Sequence, residues 1–241
     1  MAKIGWIGLG QMGTPMVENL LKGSVDVTVY NRSFDKTLPL VEKGAKNTKN
    51  VEEIFEQNDT IFFMISNYSA ALEILNENVL SKIKGKKIVN MSTISPTESK
   101  AVGKLVIENN GKYIEAPVSG SVGAATAGVL LILVGGNEAD TKDLYSIFDI
   151  LGSKTYYFGE LGKATGAKLV LNSLLGIFGE AYSEVLLLAQ NFGIDTETIV
   201  NAISDSRMSS PLFQEKRYAY KQRISCGIYV KTYDKRLKII K

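Results

Sequence analysis

Residues 4–16 of the chain read Ile4-Gly5-Trp6-Ile7-Gly8-Leu9-Gly10-Gln11-Met12-Gly13-Thr14-Pro15-Met16. An apolar run of strand length leads into a turn with three spaced glycines, and a helical pattern follows. Gly8 permits a tight turn, Gly10 lets the backbone approach a pyrophosphate, and Gly13 lets the helix pack closely on the strand. Unpaired N–H groups at the helix N-terminus attract phosphate. This order predicts a dinucleotide site, although glycine-rich turns also occur as ordinary strand–helix connections.

The end of the next predicted strand, residues 25–30, supplies a second part of the same site. Folds of this type that prefer NAD carry an acidic residue there for the ribose 2′-hydroxyl. This chain instead has Asn31, Arg32 and Ser33. A guanidinium can bind a 2′-phosphate through paired hydrogen bonds and stack on the adenine, although such an arginine can also be an ordinary turn residue. We therefore expect NADP as cofactor in preference to NAD.

Short apolar runs alternate with helical patterns through the first 160 residues. This alternation predicts an α/β fold, with a Rossmann-type doubly wound parallel sheet covered by helices on both faces. The predicted strands are residues 3–7, 25–30, 60–65, 87–91, 112–115, 129–134 and 154–158. The predicted helices are residues 12–22, 34–43, 50–57, 69–76, 97–109 and 138–150.

The pattern changes after Gly159. A long helical pattern without proline runs from Ala164 to about Phe192, and a shorter one follows from about Asp195 to Ser204. Apolar residues occur almost all round the long helix, so we expect it to be buried between units. We predict an NADP-binding domain over residues 1–160 and a smaller all-α domain, for substrate binding and dimerisation, over residues 161–241.

Composition excludes several kinds of chemistry. The chain of 241 residues has no histidine and one cysteine, Cys226. A histidine–carboxylate proton relay and a histidine-ligated zinc site are therefore excluded, and we expect no metal. No tyrosine is followed by lysine four positions later. The proton for a carbonyl reduction must come from a lysine, with a carboxylic acid or a lone tyrosine as alternatives. The single cysteine and the early first strand lead us to expect a cytoplasmic protein. The longest apolar stretch, residues 128–136, has only the length of a strand, so we expect no membrane binding.

Lys168 is the candidate proton donor. It lies four residues before Asn172, so the two side chains share one face of the long apolar helix. Burial disfavours the charged form of a lysine and lowers its pKa into a range useful for proton transfer. The alternative is a lysine whose apolar stem lies on the helix while its amine reaches solvent.

Two further segments follow predicted strands at the sheet edge where such folds bind ligands. Asn90-Met91-Ser92-Thr93 closes one strand with hydroxyl side chains. Glu115-Ala116-Pro117-Val118-Ser119-Gly120-Ser121 follows another and can present Ser119 and backbone N–H groups to a carboxylate. Each segment, taken singly, can also be a plain loop.

Together these residues resemble the β-hydroxyacid dehydrogenase family, which includes 3-hydroxyisobutyrate dehydrogenases and glyoxylate/succinic semialdehyde reductases. The motifs that carry the resemblance are Gly8-Leu9-Gly10-Gln11-Met12-Gly13-Thr14-Pro15-Met16, Asn31-Arg32-Ser33, Met91-Ser92-Thr93, Ala116-Pro117-Val118-Ser119-Gly120-Ser121, Gly166-Ala167-Lys168 with Asn172, and Ser210-Pro211-Leu212-Phe213. Ser121, together with Asn31 and Arg32, is more similar to the glyoxylate/semialdehyde reductase branch.

The resemblance implies a role for each motif. Lys168 would be the general acid, oriented by Asn172, and Ser119, Gly120 and Thr93 would hold the substrate carboxylate. The residues implied in cofactor binding are Gly8, Leu9, Gly10, Gln11, Met12, Gly13, Asn31, Arg32, Ser33, Ile65, Ser66, Thr93 and Lys235.

The C-terminal residues depart from the family pattern. Ile228 aligns with a phenylalanine position, Lys235 with a cofactor-contacting lysine, and Arg236 with an expected aspartate. The all-α domain is therefore expected to be incomplete relative to the family. Residues 214–241 carry nine Lys and Arg against Glu215 and Asp234. Such a basic segment can be a solvated surface, a nucleic-acid arm or a surface facing an anionic cofactor, and we expect no nucleic-acid partner.

The sequence thus predicts an NADP-dependent oxidoreductase. It would transfer hydride between NADPH and the carbonyl of a small carboxylate-bearing aldehyde or keto acid, and it would form a homo-oligomer, a dimer or a tetramer. The alternative is a catalytically impaired dinucleotide-binding protein with a structural or regulatory role.

Overall fold

The computed structural model describes residues 3–225. The strands are β1 (Lys3–Ile7), β2 (Asp26–Tyr30), β3 (Lys46–Asn47), β4 (Thr60–Phe63), β5 (Lys87–Asn90), β6 (Lys112–Glu115), β7 (Val118–Ser119), β8 (Leu130–Gly136) and β9 (Gly152–Tyr157). The helices are α1 (Gly13–Lys22), α2 (Leu38–Val41), α3 (Val51–Gln57), α4 (Tyr68–Ile74), α5 (Glu77–Leu80), α6 (Pro96–Glu108), α7 (Val122–Ala127), α8 (Glu138–Thr141), α9 (Tyr145–Leu151), α10 (Lys163–Asn191), α11 (Thr196–Asp205) and α12 (Pro211–Ser225).

The strands form a mostly parallel sheet in the order β3-β2-β1-β4-β5-β6-β8-β7. The first six strands in this order all run parallel to their neighbours. The chain builds outward from β1 first in one direction, to β2 and β3, and then in the other, to β4, β5 and β6. This reversal creates a crevice at the carboxyl ends of β1 and β4, where folds of this class bind ligands. The predicted Rossmann-type α/β fold is confirmed.

One strand runs against the predicted direction. β8 is antiparallel to both β6 and β7, and β9 then pairs in parallel with β8. The chain reverses at α7, which ends at Gly128 in the left-handed conformation (φ 68°). No long crossover helix separates β6 from β8, so the chain returns antiparallel. The sheet is therefore mixed at this end, and not parallel throughout.

The two faces of the sheet carry separate apolar clusters. Trp6 and Phe62 stack on one face, with ring centroids 5.5 Å apart, and pack in a cluster with α1 and α9. Ile61 and Phe63 lie on the other face in a cluster with α3 and α6. Neighbouring residues of a strand point to opposite faces, so strands buried on both sides need continuous apolar runs. The core thus fixes β1 and β4, whose ends form the crevice.

The chain divides into two compact units, and the division falls between Val170 and Leu171, inside α10. We predicted the boundary near residue 160, before the helix begins. The difference arises because the first turns of α10 belong to the sheet unit. Ala164 is fully buried there and Thr165 is 2% exposed.

The second unit, as far as residue 225, is helical, as predicted. Leu186 of α10, Val200 of α11, and Phe213 and Tyr220 of α12 form its apolar cluster. The Tyr182 hydroxyl donates to the Met208 carbonyl oxygen at 2.8 Å and lies 3.0 Å from the Ser210 hydroxyl oxygen. The segment Ser210-Pro211-Leu212-Phe213 therefore begins a helix that packs on α10.

The predicted burial of α10 is wrong for most of its length. Its apolar side chains are widely exposed, with Val170 at 68% and Ile177 at 63%. Within residues 3–225, α10 is also the one helix long and apolar enough to cross a membrane by length and composition, which is weak evidence for a span. Its sequence is apolar on nearly all sides, whereas α11 and α12 cover one side, so the other side remains exposed.

Tyr113 links two elements beneath the carboxyl edge of the sheet. Its hydroxyl accepts a hydrogen bond from Asn90 Nδ2 at 2.9 Å and lies 3.1 Å from the Ser99 hydroxyl oxygen. Burial raises the pKa of Tyr113 well above its ordinary value of 10. The neutral phenol is thus favoured in the folded chain. The neutral Tyr113 phenol therefore stabilises the folded chain below pH 10, and this stabilisation is lost as the pH rises above that value.

We expect Tyr113→Phe to lower the free energy of unfolding at neutral pH by about 1–3 kcal/mol, because Asn90 and Ser99 lose a buried partner. The deficit should shrink above about pH 10, where the wild type loses its advantage. Urea unfolding at both pH values measures this. Tyr156→Phe, at a side chain that is 47% exposed, is the control and should change little. An equal loss of unfolding free energy at both pH values would contradict the stabilising role of the neutral Tyr113 phenol.

Candidate functional site

The glycine loop between β1 and α1 is held tightly at two of its three glycines. Gly8 has φ +105°, and a Cβ atom there would lie 2.2 Å from the Met64 carbonyl oxygen. A Cβ atom at Gly13 would lie 2.1 Å from the Gly8 carbonyl oxygen. Both positions therefore require glycine for the fold itself.

Gly10 differs from the other two glycines. It is exposed, and a Cβ atom built there would meet nothing within 4 Å. The fold does not need glycine at this position, so the open space suits a ligand that approaches the backbone. The first turn of α1, Gly13-Thr14-Pro15-Met16, is uncharged and leaves the positive end of the helix dipole available to phosphate. The loop thus fits a dinucleotide pyrophosphate.

Asn31 ties this loop to the end of β2. Its Oδ1 accepts a hydrogen bond from the Leu9 N–H at 3.0 Å, and its Nδ2 donates to the Ser33 carbonyl oxygen at 2.9 Å. The amide therefore fixes the glycine loop against the turn that carries Arg32. The side chains of Arg32 and Ser33 are exposed beside it. Gln11 is also exposed, whereas Leu9 is buried and Met12 is half-buried.

The ends of β4 and β5 are joined by Ser92. Its Oγ accepts a hydrogen bond from the Ile65 N–H at 2.9 Å, and its own N–H donates to Asn90 Oδ1 at 3.0 Å. Ser92 is 1% exposed, so its hydroxyl serves this connection. Ser66 and Thr93 are the exposed residues that follow the two strands. Since β2, β1, β4 and β5 are adjacent and parallel, the predicted cofactor residues of the four strand ends share one edge.

The Ser119 segment lies next to the end of β6. Ser119 is half-buried and pairs with Leu131 in the sheet. Gly120 has φ +150°, and a Cβ atom there would lie 2.8 Å from Leu130 Cδ2 and 2.9 Å from Ala124 Cβ. Ser121 caps α7, since its Oγ accepts from the Ala124 N–H at 3.4 Å. Ser119 and Gly120 are therefore held in place while Ser121 serves the helix.

Lys168 lies in the second turn of α10. Its side chain is partly buried, and burial lowers its pKa below the ordinary value of 10.5. Ala164 and Thr165, three and four residues before it, are buried, so Lys168 lies on the side of the helix that faces the sheet unit. Asn172 follows one turn later and is exposed. Lys235, Arg236 and Ile228 lie outside the described residues.

The start of α10 is held at the same edge of the sheet by Glu115, the last residue of β6. The Gly162 N–H donates to Glu115 Oε1 at 2.7 Å. The sequence pattern placed Glu115 at the end of a predicted strand and the start of a turn-forming segment, and it predicted no role for this residue. One feature of the sequence could have indicated a role for Glu115. It is an acidic residue that directly follows the apolar Tyr113-Ile114, in a part of the strand that is expected to be buried.

Comparisons with known proteins identify the family of the chain. A family model described as the NAD binding domain of 6-phosphogluconate dehydrogenase matches residues 3–159. Glyoxylate/succinic semialdehyde reductase 2, chloroplastic, of Arabidopsis thaliana is 33% identical over 216 residues, which cover 88% of this chain and 60% of that protein. Glyoxylate/succinic semialdehyde reductase 1 of the same organism is 34% identical over 217 residues, which cover 89% and 75%.

A protein of another kind is also similar. Cytokine-like nuclear factor N-PAC of Homo sapiens is 32% identical over 217 residues, which cover 89% of this chain and 39% of that protein. Among solved structures, Mycobacterium tuberculosis 3-hydroxyisobutyrate dehydrogenase with L-serine superimposes with a TM-score of 0.80 at 24% identity. That match covers 88% of this chain and 73% of the other, and it supports the fold.

The glycine loop and the strand order define an NAD(P)-binding domain of the Rossmann class. The chain belongs to the β-hydroxyacid dehydrogenase family, as its motifs predict. It spans 60% of the length of the first reductase and 75% of the second.

The open space at Gly10 gives a test of the cofactor loop. We expect Gly10→Ala to leave the free energy of unfolding within about 0.5 kcal/mol of wild type, because the new methyl group contacts nothing in the fold. The same methyl group should raise the Kd for NADPH at least about tenfold, because it occupies the space through which a pyrophosphate reaches the backbone.

Gly13→Ala is the matched variant, and it should lower the free energy of unfolding by at least about 3 kcal/mol, because its methyl group would lie 2.1 Å from the Gly8 carbonyl oxygen. Thermal unfolding and fluorescence titration of NADPH measure the two effects. Unchanged NADPH affinity in a folded Gly10→Ala protein would show that the dinucleotide binds elsewhere.

Proposed function

We propose that the chain reduces the carbonyl group of a small carboxylate-bearing aldehyde or keto acid with NADPH, and that Lys168 donates the proton. The observation that carries this proposal is a partly buried lysine on a helix whose start is held at the strand edge that bears the glycine loop. The two similar reductases of Arabidopsis thaliana support the class of substrate.

Lys168 suits the role of a proton donor. Desolvation lowers the pKa of the Lys168 amine, because burial disfavours the charged form. A donor whose pKa lies closer to the working pH transfers its proton more readily to a developing alkoxide. Activity should decline as the pH rises through this lowered pKa, because the deprotonated amine has no proton to donate.

When bound, NADPH would supply the hydride for reduction of the carbonyl carbon. As the carbonyl π electrons move to oxygen, the positive charge of Lys168 stabilises the developing alkoxide. An N–H bond of the ammonium group then breaks and its proton forms the product hydroxyl, which leaves a neutral amine. Asn172 orients Lys168, while Thr93, Ser119 and the backbone at Gly120 bind the substrate carboxylate.

The preference for NADP is part of the proposal. Arg32 is exposed directly after β2, and Asn31 holds its turn against the glycine loop. The cation can therefore reach the ribose of a dinucleotide that lies over that loop, where a 2′-phosphate accepts paired hydrogen bonds.

The exposed apolar residues of α10 support association into a dimer or tetramer. Soluble proteins seldom leave large contiguous apolar patches open to water. Burial against a second copy would remove the exposed Leu174, Leu175 and Ile177 from water.

The alternative function is dinucleotide binding without turnover. The similarity to N-PAC, which is named a nuclear factor, favours keeping this alternative. NADPH oxidation with glyoxylate or succinic semialdehyde separates the two functions. Tight NADPH binding without turnover on any short aldehyde or keto acid would favour the binding role.

We expect Lys168→Ala to lower kcat by about 100-fold or more while the Kd for NADPH stays within about twofold, because the variant loses its general acid and keeps the cofactor loop. Stopped-flow measurement of NADPH oxidation and fluorescence titration report the two quantities. Lys163→Ala is the control, since it removes an exposed lysine from the same helix. Turnover above a few per cent of wild type in Lys168→Ala would contradict the assignment.

We expect Arg32→Ala to raise the Kd for NADPH about 10- to 100-fold, the effect of removing charged hydrogen bonds worth about 1.5–3 kcal/mol. The Kd for NADH should change little, since NADH has no 2′-phosphate. Arg207→Ala removes an exposed arginine from the second unit and should change neither constant. An equal loss of affinity for both cofactors would contradict recognition of the 2′-phosphate by Arg32.

A further inference from the structure

Glu115 is a buried acidic residue to which the proposed mechanism assigns no step. Its side chain is fully buried at the end of β6. Glu115 Oε1 accepts a hydrogen bond from the Gly162 N–H at 2.7 Å, and Oε2 accepts one from the Thr165 N–H at 3.3 Å. The Thr165 hydroxyl also donates to Oε1 at 3.3 Å. A buried carboxylate is costly unless its oxygens are hydrogen-bonded, and these donors supply the compensation.

These three hydrogen bonds replace a local helix cap. Gly162 directly precedes α10 and has no side chain with which to cap it. In contrast, α3, α6 and α11 are capped by the adjacent residues Asn50, Ser95 and Asp195. A local cap stabilises a helix wherever the helix lies. A cap supplied by a residue of the sheet also fixes where the helix begins.

The packing around Glu115 brings α10 close to the sheet. A Cβ atom at Gly135 of β8 would lie 3.0 Å from both Glu115 Oε2 and Ala164 Cβ. On a neighbouring side, a Cβ atom at Gly166 would lie 3.9 Å from Pro96 Cγ of α6. Small residues thus allow the first turn of α10 to sit directly against β8 and the start of α6.

We propose that Glu115 is a positioning residue that sets the location of the Lys168 amine. This inference rests on the proposed role of Lys168 as proton donor. Lys168 lies three residues after Thr165 and four after Ala164, so it extends from the same face of the helix as the anchored turn. A shift of that turn moves the amine with it. Displacement of a catalytic group by about 1 Å can cost two orders of magnitude in rate.

Three variants test the positioning role. Glu115→Gln keeps the size of the side chain but replaces one acceptor oxygen with an NH2 group that faces N–H donors. Thr165→Val removes only the hydroxyl donor, and Thr165→Ser restores it. We expect kcat to fall at least about tenfold in Glu115→Gln and severalfold in Thr165→Val, and to return to near the wild-type value in Thr165→Ser. The Kd for NADPH should stay within about twofold throughout, because the glycine loop is unchanged.

Asn50→Ala is the control for a purely structural effect, because it removes the local cap of α3 and leaves α10 untouched. It should lower Tm without changing kcat at a temperature well below unfolding. The proposal is overturned if Glu115→Gln and Thr165→Val lower Tm as Asn50→Ala does while kcat stays at the wild-type value. If Glu115→Gln does not fold, the Thr165 pair decides between the two outcomes.

Hydrogen–deuterium exchange of the peptide that covers residues 160–170 gives a readout independent of turnover. Its amides should exchange severalfold faster in Glu115→Gln than in Asn50→Ala, and unchanged exchange would overturn the anchoring role. The proposed function is tested separately from the positioning role of Glu115, by the turnover of the wild type and of Lys168→Ala. An inactive wild type, or an active Lys168→Ala, identifies that failure whatever the Glu115 variants do.

Discussion

The buried carboxylate of Glu115 joins the two parts of the chain on which the proposed chemistry depends. β6 contributes the carboxylate, and the first turn of α10 contributes the donors at Gly162 and Thr165. Without these hydrogen bonds, the N–H groups of the helix start and the carboxylate would be left unpaired in a buried place. The helix that carries Lys168 is thus tied to the strand edge where the glycine loop lies.

The glycine loop obeys a different constraint, because close approach of backbone to backbone leaves no room for side chains. Gly8 faces the Met64 carbonyl and Gly13 faces the Gly8 carbonyl, so the turn between β1 and α1 can form only with glycine there. Gly10 has no such neighbour. The contrast separates the glycines that the fold requires from the one that is free to serve a ligand. Asn31 and Ser92 then hold the neighbouring strand ends around the loop.

Local patterns in the sequence were enough to predict the glycine loop, the longer parallel strands of the sheet unit and the long helix, because each depends on neighbouring residues. The two-residue strand β3 was missed, because so short a strand has no apolar run of its own. The direction of β8 could not be predicted, since an apolar run looks the same in either direction. The exposure of α10 was also missed. The apolar residues of α10 indicate that the helix packs against other elements. The sequence pattern does not show how much of its surface α11 and α12 bury.

The predicted site residues show the same limits. Asn31 and Ser92 were recognised as parts of motifs, but their structural hydrogen bonds join residues distant in sequence. Glu115 was missed for a similar reason, because its partners lie 47 and 50 residues further along the chain. A sequence motif identifies a residue that is important for the site. Only the contacts of that residue in the structure show whether it binds a ligand itself or positions another residue that binds the ligand.

The most direct measurement is a crystal structure of the protein with NADP+ and glycolate. We expect the pyrophosphate over Gly10 and the Lys168 Nζ about 3 Å from the glycolate hydroxyl oxygen. A complex in which that amine points into solvent, away from the nicotinamide, would contradict it.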